Sequence, residues 1–179
     1  MKRITFIILT LILCASVVGA QDVKPGIVSV GSYLINWAAN GEDTDFEGFT
    51  VGGTYAFSSS MAVRGGFYST ENETLELIEI NGLEAQFLLG SNLNAEGFKI
   101  YGLGGFFRET PKVGSIESDV DYSGAMIGGG LGYNWKSVAL DFSLAWRQND
   151  DYMDEDNDAK SDDPDIDMMS GSLSIGLRF

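Results

Sequence analysis

In the stretch "DDYMDEDNDAKSDDPDID", four aspartates have the spacing that comes nearest to a chemical task. Asp154, Asp156 and Asp158 recur at every second residue, and Asp165 stands where the twelfth position of a calcium-binding loop supplies its last ligand. Carboxylate oxygens suit hard divalent ions, so weakly bound Ca2+ or Mg2+ is the one cofactor this stretch invites. The pattern departs from a calcium loop at two places. Ala159 holds the position that normally needs glycine for a sharp turn, and Asp165 is shorter than the usual bidentate glutamate. The same charges also suit a solvated acidic loop that keeps a rim hydrated.

Acid–base chemistry has few candidates elsewhere. The 179-residue chain contains no histidine, so mechanisms that use an imidazole base have no residue to run on. Asp141 and Glu84 are a formal carboxylate pair, but buried carboxylates are more often salt-bridged than catalytic. Isolated serines such as Ser29 and Ser174 read as small packing residues. No catalytic residue is assigned, and a non-enzymatic role is expected.

The elements that would carry these residues start with an export leader. A basic start at Lys2 and Arg3, the apolar run "ITFIILTLILCASVV" and the small residues Gly19 and Ala20 have the layout of a secretory signal peptide over residues 1–20. Residues 21–179 then form one domain. A lipoprotein signal acylated at Cys14 is the rival reading, and Leu13 disfavours it because a small residue belongs just before such a cysteine. With Cys14 removed, the exported domain contains no disulfide.

Lys plus Arg number 11 and Asp plus Glu 26, giving a net charge of -15. Loss of Lys2 and Arg3 makes the domain more acidic still. Nucleic acid is therefore excluded as a partner on electrostatic grounds, and cations or basic surfaces are favoured.

After the leader, strand periodicity dominates. In "VALDFSLAWRQ", Val138, Leu140, Phe142, Leu144 and Trp146 alternate with small or charged residues. Similar alternation runs through "GFTVGGTYAF", "SGAMIGGGLGYNW" and the final "SGSLSIGLRF". Less regular versions occupy 27–37, 61–70, 81–90 and 99–108, which brings the expected strands to eight. The connections alternate between long acidic segments (38–45, 71–79, 109–121, 149–167) and short ones (58–60, 91–97, 136–137). That asymmetry predicts an all-β fold, an eight-stranded antiparallel up-and-down transmembrane β-barrel with long loops at one rim.

Volume decides which face looks outward. An eight-stranded barrel has room inside only for its own side chains, so the face rich in Gly, Ala, Ser and Thr goes in and the bulky apolar face goes out. Lipid is the solvent that accepts such a surface. Trp37, Phe46, Phe67, Phe106 and Trp146 are expected to form an aromatic girdle near the long loops, and Phe57, Phe98, Trp135 and Phe179 one near the short turns.

The terminal alternation ending in Phe179, the "GGGLGYNW" strand and the strand count resemble the small outer-membrane barrels of the OmpA membrane domain and OmpX/Ail type. The resemblance implies residence in the outer membrane, contact with its lipid, and assembly by the barrel-assembly machinery, which reads the C-terminal aromatic strand and hence Phe179. Enzymes among outer-membrane barrels rely on a histidine, so none of those mechanisms carries over. Inside the lumen, a hairpin centred near residue 74 would set Arg64 opposite Glu84, and a similar count would bring Asp141 near Arg178. The expected function is presentation of acidic extracellular loops for surface interaction or envelope structure, with an unidentified extracellular partner. A small passive pore and a divalent-cation-binding surface protein are the alternatives.

Overall fold

The computed structural model describes residues 23–39, 42–72, 78–113, 116–117, 121–148 and 167–179. It contains the strands β1 (Gly26–Ala39), β2 (Glu42–Ala56), β3 (Met61–Asn72), β4 (Ile78–Ser91), β5 (Gly97–Val113), β6 (Ile116–Glu117), β7 (Tyr122–Asn134), β8 (Val138–Arg147) and β9 (Asp167–Arg178). All but β6 form the wall. Each pairs antiparallel with its neighbour in the chain, β5 pairs with β7, and β9 pairs with β1, so the sheet closes. The two-residue β6 only extends β5 through Val113↔Ile116 and Lys112↔Glu117. The expected eight-stranded barrel is the observed one.

Closure satisfies the backbone groups that an open edge would leave bare in lipid. It is completed at the short-turn rim, where Gly26 and Phe179 exchange two backbone hydrogen bonds of 3.0 Å each. Outside, Val28, Val30, Phe49, Val51, Phe87, Leu89, Ile127, Leu144 and Ile175 are among the exposed apolar side chains. On β5 the outward apolar residues run from Phe98 to Phe106, roughly 20 Å once strand rise and tilt are allowed for. Such a belt matches the apolar height of a thin bilayer.

Two expectations about the rims change. Residues 38–39 and 42–45 are ladder rather than loop, since β1 and β2 stay paired out to Ala39↔Glu42. The Asn-Gly sequence at 40–41 is the composition that favours a two-residue hairpin connection, and this was the signal to follow. Likewise β5 runs through Pro111, above its last rung with β7 at Glu109↔Tyr122. Proline is tolerated where a strand has lost one neighbour.

Trp37 and Phe46 do not belong to the girdle. Phe46 is 3 % exposed and packs inside with Tyr33, Ile35, Tyr68, Ile80 and Met168, and Trp37 lies against this group with its ring centroid 5.2 Å from that of Phe46. Parity explains it: Val28, Val30 and Leu34 point out, so Tyr33, Ile35 and Trp37 point in, and Phe49 outward makes Phe46 inward. The outer aromatic belt keeps Phe67, Phe106 and Trp146 towards the long loops, and Phe57, Phe98, Trp135 and Phe179 towards the short turns.

Candidate functional site: the lumen and the acidic rim

Around the wall, β3 and β8 stand opposite each other, separated by β4, β5 and β7 on one side and by β2, β1 and β9 on the other. Two polar bridges span that diameter. In the first, Arg64 Nη2 of β3 reaches Asp141 Oδ1 of β8 at 3.0 Å, and Arg64 Nε donates to Thr54 at 3.2 Å. Tyr101 donates its hydroxyl to the same Asp141 oxygen at 2.5 Å, and Lys99 Nζ lies 2.5 Å from Asp141 Oδ2. A carboxylate that desolvated needs such a set of partners.

In the second bridge, Arg147 of β8 donates to the Tyr68 hydroxyl of β3 at 2.6 Å and to Glu109 Oε2 at 2.8 Å, while Tyr68 donates to Glu109 at 2.5 Å. The side chains of Arg147 and Glu109 are fully buried. The guanidinium also sits 3.7 Å from the Phe107 ring centroid, and Tyr68 stacks on Tyr33 at 4.4 Å. Glycine makes room for these rings. A Cβ on Gly82 would land on the Tyr68 ring, and one on Gly130 on the Tyr101 ring.

The sequence-derived pairs therefore change partners. Arg64 faces Gln86 and Glu84 faces Gly66, because this hairpin turns about position 75 instead of 74, which moves every partner by two. Glu84 keeps its inward phase and accepts a hydrogen bond from Tyr33 at 2.9 Å. Asp141 faces Ser174, not Arg178, because the last hairpin's centre lies earlier than the count assumed. Arg178 instead closes the short-turn mouth, donating to Trp135 O at 2.5 Å and to Asn94 O at 2.9 Å. There Leu93 and Ala95 tuck under the barrel, and Asn134 donates to the carbonyls of Asn92 and Ala95 at 2.8 and 3.1 Å.

Lys99, Tyr101 and Glu109 were missing from the sequence-derived charge pairs. They share inward parity on β5 with Leu103 and Phe107, a phase fixed by the outward Phe98, Ile100 and Phe106. Parity carried past residue 108 would have placed Glu109 inside.

At the long-loop end the outward face turns acidic just above the apolar belt. Glu47 is directly opposite Glu71, and Glu71 opposite Glu79, on β2, β3 and β4. Like charges facing each other across a ladder are unfavourable. Ser69 and Asn81 hold Glu79 at 3.2 and 2.8 Å, and Lys112 follows it in register on β5. Asp154, Asp156, Asp158 and Asp165 lie outside the described residues. Among the described residues no three carboxylates converge closely enough to hold a metal ion.

No protein-family model and no curated protein matches the sequence. Solved structures do match in three dimensions. Ail, the attachment invasion locus protein of Yersinia pestis, superposes with a TM-score of 0.58 at 19 % identity, covering 88 % of this chain and all of Ail. This chain has the fold of the small outer-membrane β-barrels. Neisserial surface protein A gives 0.60 at 13 % identity over 86 % of this chain and 95 % of its own, and OprG of Pseudomonas aeruginosa gives 0.52 at 12 % over 88 % and 97 %. What these small barrels share with the chain at such identities is the closed wall.

Proposed function

We propose that this chain is a non-enzymatic barrel of the outer membrane that acts through the acidic surface at its long-loop end, with the lumen as a braced support instead of a conduit. The observation that carries the reading is the change along the outer face from a continuous apolar belt to the Glu47–Glu71–Glu79 row. The sequence from Asp150 to Asp167 adds ten carboxylates against Lys160 alone. A partner that meets this surface is basic, a protein segment rich in Lys and Arg. Ail has been crystallised with sucrose octasulfate, a heparin analogue; an acidic rim repels a polyanion of that kind, so a sulfated glycan is not the ligand proposed here.

Against the passive-pore reading stand the two bridges and the tucked turn, which occupy the lumen at several levels. Two measurements test the proposal. Fractionated cells should hold the protein in the outer membrane, migrating differently on gels with and without boiling. Vesicles carrying the refolded barrel should bind oligolysine, lose it as salt rises, and ignore heparin. A soluble periplasmic protein, or heparin bound in preference to oligolysine, would overturn it.

A further inference from the structure

The β3–β8 bridges divide the lumen into unlike halves. On the β4–β5–β7 side, Leu88, Tyr101, Leu103, Phe107 and Met126 pack into one buried cluster. On the β9–β1–β2 side, between a buried group at each end, the inward residues include Ser29, Gly31, Thr50, Gly52, Thr54, Ser172 and Ser174. All are small, and Thr54 touches the first bridge where Arg64 Nε donates to its hydroxyl at 3.2 Å.

Accessibility shows that this half is not filled. Inward Ala62, Thr70, Ala139, Ser143, Ala145 and Ser170 are at most 7 % exposed, so the outer side of the wall reveals almost nothing of a residue that points in. Ser29, Thr50, Thr54, Ser172, Ser174 and Glu84 also point in, yet each is partly exposed. Their accessible surface must therefore face the inside. The atoms nearest to a Cβ placed on Gly66 are Glu84 Oε1 at 3.5 Å, its Cγ at 3.6 Å and Thr50 Oγ1 at 3.7 Å, which puts a carboxylate and a hydroxyl at the edge of the same space.

Buried side chains stand at both ends of the space. Towards the short turns stand Ile27, Ala56 and Arg178, all buried. Towards the long loops stand Tyr33, Ile35, Phe46, Tyr68, Ile80 and Met168, contributed by β1, β2, β3, β4 and β9. The first end is partly polar, whereas the second is predominantly apolar.

From this placement we infer a hydrated chamber on the β9–β1–β2 side of the lumen, lined by Ser29, Thr50, Thr54, Ser174, Arg64 and Glu84, with the Ile35–Phe46–Ile80–Met168 group as a hydrophobic lid. A polar space of this kind holds water, whereas an apolar one stays dry. An apolar constriction stops water and small ions by dewetting, without any charged gate. The inference does not depend on which partner the rim binds.

The test uses the full chain with Cys14→Ser, refolded in lipid vesicles, with one cysteine at Thr50→Cys and the probe 2-aminoethyl methanethiosulfonate added on the long-loop side. With the lid intact, Thr50→Cys should react slowly. In Phe46→Ala/Ile80→Ala it should react faster by an order of magnitude or more, while Ala62→Cys in the packed half should stay slow in both. Met168→Ala alone should give a smaller increase, and covers the case in which the double variant does not fold, as judged by gel migration without boiling. In the intact protein, water cross-relaxation should reach the Thr50 and Thr54 amides and be absent at Ala62. Fast labelling of Thr50→Cys under an intact lid would show that the lid does not seal. No increase on truncating the lid, or dry amides at Thr50 and Thr54, would remove the chamber.

Discussion

Arg64 and Asp141 meet at 3.0 Å across the full diameter of the barrel, from β3 to β8, and Lys99 shares the same carboxylate. The unequal sharing predicts unequal mutants. Asp141→Ala strands two cations, and should cost about 3–5 kcal/mol; Arg64→Ala leaves Asp141 with Lys99 and should cost less, the more so because Arg64 borders the chamber. A double-mutant cycle by urea unfolding in vesicles should find coupling for Arg64 with Asp141. Coupling confined to Arg64 and Glu84 would reverse the assignment.

Two inward glycines should respond in opposite ways to one added methyl. Gly82→Ala drives a Cβ into the Tyr68 ring, which Glu109, Arg147 and Tyr33 hold in place, and overpacking of this kind costs roughly 1–3 kcal/mol. Gly66→Ala meets only ordinary contacts and should be near neutral. Equal unfolding midpoints for the two variants would show that the ring is free to move.

Arg178 and Phe179 should separate in their effects. Arg178→Ala removes both bonds to Trp135 O and Asn94 O, so amide exchange in the 92–96 turn should quicken while insertion continues. Deleting Phe179, or Phe179→Asp, should lower the yield of inserted barrel in cells. Full insertion without Phe179 would argue against an address in the terminal strand.

A pH response is expected above the belt. Thr110 hydrogen-bonds Asp121 at 2.5 Å, and Arg108 bonds its other oxygen. First the Thr110 contact and then that of Arg108 hold this carboxyl below the ordinary carboxylate range. A folded-state pKa below the unfolded value gives support that is complete above the unfolded value and is lost as pH falls through the folded one. Amide exchange at Glu109 and Thr110 should therefore rise only in that acidic window, and Asp121→Asn should abolish the step.

The acidic segment containing Asp154, Asp156, Asp158 and Asp165 should order in calcium, with affinity of about 0.1–1 mM given its imperfect turn and lack of a bidentate glutamate. Loop-backbone NMR during calcium titration checks this against sodium at matched ionic strength. Shifts that track ionic strength alone would mark a screened polyanion.

How much was legible in the sequence follows from what each signal measures. Period-two alternation reports which face a residue takes, so the closed wall, the outward belt and the inward phase of Arg64, Glu84, Asp141 and Arg178 could all be read from it. It says nothing about which strand lies opposite. Arg64 finds Asp141 across a diameter, a contact set by barrel closure and side-chain reach, whereas the sequence argument counted only along a hairpin. That count also depended on a loop centre, and an error of one residue near position 75 moved the partner of Arg64 from Glu84 to Gln86. Trp37 and Phe46 were misplaced for a different reason: composition near strand ends suggested a girdle, while parity, the stronger constraint, put them inside.

The reciprocal bonds between Gly26 and Phe179 leave the two described ends of the chain side by side. A short linker could therefore join them, and new ends could be cut in the segment after β8, which would make a circular permutant with the same wall. In that molecule Phe179 would sit mid-chain yet keep its place in the barrel. Permutation thus separates the bonding of Phe179 to Gly26, which closes the ring, from the place of its strand in the order of the chain.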